Sequence, residues 1–145
     1  MAQVIDIANY FLVLDQQNDG DGISNLKLQK LVYYAQGFYA AINNGKSLFD
    51  APIEAWTHGP VVPELYHRYK EHGRDHLPVP DAFDASCLSN QEAALIEDVH
   101  KAFGQFSAWK LRNMTHEEQP WKAHEEDASE ISLHELSDYF ESRLS

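Results

Sequence analysis

Residues 26–42 read LKLQKLVYYAQGFYAAI. On a helical wheel Leu28, Leu31, Val32, Ala35, Tyr39 and Ile42 form one apolar stripe. The opposite side carries Leu26, Lys30, Tyr33, Gly37, Ala40 and Ala41, which is apolar, aromatic and small apart from one lysine. A helix apolar nearly all round is packed on both sides at the centre of a fold. Gly37 in its interior costs about 1 kcal/mol relative to alanine, which is tolerable where another backbone packs closely. The stretch predicts a central helix from Ser24, its N-cap, to about Asn43, ended by Gly45. Two roles follow for Lys30, Tyr33 and Tyr34. They are core, with Lys30 snorkelling or meeting a carboxylate, or they are partly a surface that a partner covers. Aromatic stripes favour the first.

The residues leading into this helix, DQQNDGDGISNLKL (15–28), invite comparison with a calcium loop. Such a loop needs glycine at position 6 and a bidentate glutamate at position 12. Counting from Asp15 puts Gly20 at the sixth place but Leu26 at the twelfth. Counting from Gln17 puts Gly22 and Leu28 there. Without the last carboxylate the stretch reads as a metal-free turn, its glycines free to take positive φ.

Working outward, Val4 to Leu14 has helical spacing at Val4, Ile7, Ala8, Phe11 and Leu14. After the central helix, SLFDAPIEAWTHGP (47–60) supplies short β-prone pieces, enough for a small hairpin or ribbon. Pro63 suits the first position of a third helix, and residues 73–88 form a loop. Ser89 with Glu92 is a capping box opening a fourth helix that ends at Gly104. Ser107 caps a short helix to Met114. Thr115 with Glu118 repeats the box spacing before Pro120-Trp121, and Ser132 with Glu135 opens the last helix through Phe140. The expected fold is mainly α: one compact domain over 1–145 of about six helices with a small β-hairpin or ribbon.

Composition narrows the function classes. Acidic residues number 23 and basic ones 11, for a net charge of −12. Such a chain repels phosphate backbones, so direct nucleic-acid binding is not expected. The acidic stretch from Glu117 to Glu130 reads as a solvated face, or else as a docking surface for a basic partner. Cys87 is the single cysteine, which excludes an internal disulfide or a cysteine-cluster zinc site. No basic neighbour in sequence activates it. The start lacks a signal peptide's basic region, and no apolar run reaches membrane-spanning length, so a cytoplasmic location is expected.

Eight histidines raise the alternative of a metal-dependent enzyme. There is no His-Glu-x-x-His, no Gly-x-Ser-x-Gly elbow and no phosphate loop. His58, His116, Glu117 and Glu118 could meet only through tertiary folding. Gly59-Pro60 reads as a sharp turn, Trp56 as a core plug, and His58 as a hydrogen-bond partner of backbone. Thr115 to Trp121 reads as a cap with an anchoring indole.

The run Leu26 to Gln36 resembles the signature helix of the Panacea domain family, the SocA-like and phage-associated GepA-like proteins. Two further stretches match in the same order. Residues 54–66, Glu-Ala-Trp-Thr-His-Gly-Pro-Val-Val-Pro-Glu-Leu-Tyr, resemble the family's Trp-x-x-Gly-Pro-Val segment. Leu111 with residues 115–121, Thr-His-Glu-Glu-Gln-Pro-Trp, resembles its Thr-His-x-x-x-Pro-Trp segment. The resemblance implies a bacterial or prophage antitoxin that neutralises a cognate small protein toxin by direct binding, with no catalytic residue, metal or cofactor. One branch of the family looks like an adaptor delivering its toxin to an ATP-dependent protease. Some members add a DNA-binding domain, and none is expected here beyond what residues 1–20 could hold. The expected partner-binding residues are Lys30, Tyr33, Tyr34, Trp56, His58, His116, Glu118 and Trp121.

Overall fold

Helix α2 (Asn25–Ile42) occupies the centre, because every residue from Lys27 to Gly37 is buried and no side of those three turns faces solvent. A computed structural model describes residues 1–144. Against α2 pack α1 (Val4–Gln17), α3 (Pro63–Tyr69), α4 (Asn90–Phe103), α5 (Ala108–His116) and α7 (Leu133–Glu141). A one-turn helix, α6 (Gln119–Lys122), joins α5 to the last part of the chain, giving seven α-helices among the described residues. Gly37 faces Phe140 of α7. The Phe140 ring lies so near that a Cβ there would sit 2.2 Å from it.

The start signals act as their chemistry dictates. The Ser24 hydroxyl accepts from Lys27 N, and Ser107 from Lys110 N. Ser89 with Glu92 and Ser132 with Glu135 form reciprocal capping boxes. Pro63 opens α3, where its missing N–H costs nothing. The Thr115–Glu118 box does not form. Thr115 lies inside α5 with its hydroxyl donating to Arg112 O at 2.8 Å, and Glu118 spends its carboxylate elsewhere. Helix α1 runs three residues beyond Leu14, so that Asp15, buried in its last turn, accepts from Gly22 N at 3.0 Å and closes the acidic loop on itself.

The expected hairpin is present as β1 (Ile53–Trp56) and β2 (Gly59–Val61), with Ala55 opposite Pro60. A third strand, β3 (Glu130–Ile131), pairs antiparallel on the other edge of β1, so the sheet order is β2-β1-β3. Buried polar groups of α2 fasten this ribbon. Gln29 Oε1 accepts from Val62 N at 2.9 Å, and Lys30 Nζ donates to Pro60 O at 3.0 Å. Gln36 binds the chain just before β1, donating to Phe49 O and accepting from Leu48 N. Each amide thereby satisfies a backbone group that would otherwise be buried unpaired. Among the described residues no helix is long and apolar enough to cross a membrane.

Candidate functional site

The eight residues singled out in the sequence fall into two groups. Lys30, Tyr33 and Tyr34 are 0 % exposed, and Glu118 and Trp121 are also buried. A partner surface needs accessible atoms, so in this structure Lys30, Tyr33 and Tyr34 are core residues. Tyr33 and Tyr34 each donate a 2.8 Å hydrogen bond to one oxygen of Glu118, and Arg143 Nη1 donates to it at 3.1 Å. Burial raises the Glu118 pKa, while the tyrosine and arginine donors pull it back. The carboxylate thus ties the α5–α6 junction to α2 and α7. Among the described residues no carboxylate pairs with Lys30. Burial, with the Arg112 charge adding to it, lowers its pKa to about 7.

Trp56 does not plug the core, whereas Trp121 takes the anchoring place read for it. Trp121 is the inward indole, and its Nε1 donates to Trp56 O at 2.7 Å. Trp56 is only half-buried, because its position at the turn-proximal end of β1 points its ring outward, edge-on to Tyr66 at 5.0 Å. His58 is exposed. Instead of binding backbone, its Nδ1 faces Arg112 Nε at 3.5 Å. His116 is half-buried, stacked flat on Trp121 at 3.9 Å, and burial together with the Arg112 and Lys30 charges lowers its pKa. Among the described residues no group of three or more His, Cys, Asp or Glu is placed to hold a metal ion.

The surface members, Trp56 and His58, lie on the wall of an open cleft of about 910 Å³. Asn25, Leu26 and Gln29 from the first turns of α2 line it beside Val61 of β2. Tyr66 with Lys70 and Arg74 forms one flank, and Ala108 with Trp109 forms the other. Trp109 is 55 % exposed. Arg112 lies over its ring at 4.4 Å, a cation–π contact beside the cleft. Gln29 and Lys30 matter here indirectly. By holding Val62 and Pro60 they fix the turn at 57–60 that carries Trp56 and His58. Gly59 permits this with φ +107°, where an added Cβ would lie 2.7 Å from both Lys30 Cε and Thr115 Oγ1.

Sequence reasoning passed over Trp109, although a signal was present. Leu111 and Thr115 mark the inward face of α5, and Trp109, two residues before Leu111, falls on the opposite side with Arg112 one turn on. A tryptophan facing away from its own helix's buried stripe is a docking candidate.

Residues 28–122 match the family described as "Antitoxin SocA-like, Panacea domain", and the chain belongs to this family. Over 105 residues it is 31 % identical to Antitoxin SocA of Caulobacter vibrioides (strain NA1000 / CB15N), a match covering 65 % of this chain. The same match covers 55 % of that protein, so the chain spans little more than half of its relative's length. No solved structure matches. The family region starts within α2 and ends with α6, so it includes both flanks of the cleft and leaves out α1, β3 and α7.

Proposed function

We propose that the chain is an antitoxin that neutralises a cognate protein toxin by direct binding, and that the cleft between α3 and α5 is the docking surface. Family membership and the antitoxin relative support the role. The observation that carries the surface is Trp109, a large aromatic left mostly exposed beside half-buried Trp56 and Tyr66 on a cleft open to solvent. Such aromatics are poorly placed for water and well placed for a partner. Truncating an interface tryptophan costs about 2 kcal/mol or more in binding. The buried network supports the same reading, since Glu118, Tyr33 and Tyr34 rigidify the scaffold and a preformed surface binds without an ordering cost.

The test is co-expression with the small protein of a neighbouring reading frame that arrests growth. The proposal expects growth to be restored and the two chains to co-purify. Growth arrest that persists at full antitoxin abundance, for every candidate toxin beside the gene, would overturn it.

A further inference from the structure

The cleft differs in charge from the chain that forms it. Acidic residues outnumber basic ones 23 to 11, yet no residue lining the cleft is Asp or Glu, and Lys70 and Arg74 both line it. Two smaller hollows do carry acids: Asp19 and Asp21 line one beside Lys27, and Asp50 and Glu130 line the other. A third cation, Arg112, stands at the rim between Trp109 and His58. Ion pairs among the described residues join His124 to Glu135, His134 to Asp138 and Arg143 to Glu118. Lys70, Arg74 and Arg112 take part in none of them. In a chain with a twofold excess of carboxylates, three cations gathered at one aromatic cleft, with no acid among its described lining residues, form a complementary site for an anion. Glu54, the nearest acid on β1, has one oxygen occupied by Trp56 Nε1 at 2.8 Å.

We infer that the cleft takes an acidic segment of the toxin, its carboxylates against Lys70, Arg74 and Arg112 and a large apolar side chain against Trp56, Tyr66 and Trp109. This rests on the antitoxin reading given above. The chain's overall charge of −12 opposes such a segment at long range. At physiological salt that field is screened beyond about 8 Å, so the local cations decide recognition. The same balance disfavours a nucleic-acid strand. A polyanion longer than the cleft would run out over the acidic remainder of the surface, where it gains no compensating contact.

The test uses the full chain, the toxin, and 15-residue peptides tiling the toxin on a membrane. Wild type is compared with a Lys70→Glu/Arg74→Glu variant, both positions being exposed. The expected result is retention of a peptide rich in Asp or Glu with at least one Phe, Leu, Trp or Ile. The variant should bind toxin at least tenfold more weakly at an unchanged melting temperature. Equal toxin affinity in the variant, or retention of a basic peptide instead, overturns the inference while leaving the antitoxin role standing. A twelve-nucleotide single strand bound by wild type and lost by the variant, with toxin binding unchanged, would assign the cleft to nucleic acid and also overturn it. A wild-type chain that neither rescues growth nor binds toxin removes the antitoxin role itself, and the inference with it.

Discussion

Helix α2 serves two neighbourhoods that treat aromatic and charged groups in opposite ways. In its middle, Tyr33 and Tyr34 are sealed, their hydroxyls spent on Glu118 and their rings packed against Phe140. At its start, Asn25, Leu26 and Gln29 border a cleft open to solvent, where Trp109 is mostly exposed and Lys70, Arg74 and Arg112 join no ion pair among the described residues. The first neighbourhood is closed chemistry, with both tyrosine hydroxyls matched to a buried carboxylate. The second is open chemistry. That difference separates stability from binding, and it predicts that substitutions in the two regions fail in different ways.

The largest effect belongs to the closed region. Glu118→Ala strands two buried tyrosine hydroxyls, removes a partner of the exposed Arg143 guanidinium and leaves a cavity. It should lower unfolding free energy by about 3 kcal/mol or more, read by urea denaturation. A loss below about 1 kcal/mol would mean that the network is not a structural tie. Gly37→Ala should come next. Its Cβ would meet the Phe140 ring, and overpacking of about 1–3 kcal/mol outweighs the better helix propensity of alanine, which is worth at most about 1 kcal/mol. A more stable variant would show that α7 yields easily.

Lys30 sharpens the comparison through pH. Its folded pKa of about 7 lies below the ordinary 10.5, so between those values the unfolded chain holds a proton that the folded chain has given up. Stability from this group therefore rises as pH climbs from 7, and the cost of burying the charge is fully present below 7. The window closes near 10, because Tyr33 and Tyr34, whose pKa values burial raises, stay protonated in the fold while unfolded tyrosines ionise. Between pH 7 and about 9 the wild type should gain about 2 kcal/mol, and Lys30→Met should show a flat profile. Parallel profiles for the two chains would mean that Lys30 is not the buried base described.

The sequence was legible wherever the cause is local. Ser24, Ser89, Ser107 and Ser132 start helices through atoms three residues away, and Pro63 does so through its own ring. The double-sided character of α2 was equally plain, since burial on both faces follows from apolarity on both faces. Glu118 was not legible as the partner of Tyr33 and Tyr34, because it lies 85 and 84 positions further along the chain and nothing local marks a buried carboxylate. Strand β3 has two residues and exists only because β1 offers an edge. Trp56 and Trp121 look alike in sequence, and the pleat of β1 decides which one faces outward. The cleft's charge was hidden for the same reason. Lys70 and Arg74 lie close together in the chain, but only the fold brings Arg112 and the tryptophans to them.

Trp109→Ala is the smallest expected change in stability and the most direct test of the division between the two regions. It removes an exposed ring and one cation–π contact, so melting should shift by no more than about 2 °C. The same substitution should abolish growth rescue and weaken toxin binding at least tenfold. Tyr34→Ala, measured beside it, should melt early and lose rescue only as far as folded protein is lost. Full rescue by Trp109→Ala, or loss of rescue in Tyr34→Phe at an unchanged melting temperature, would contradict the account and move the binding surface to the tyrosine side of α2.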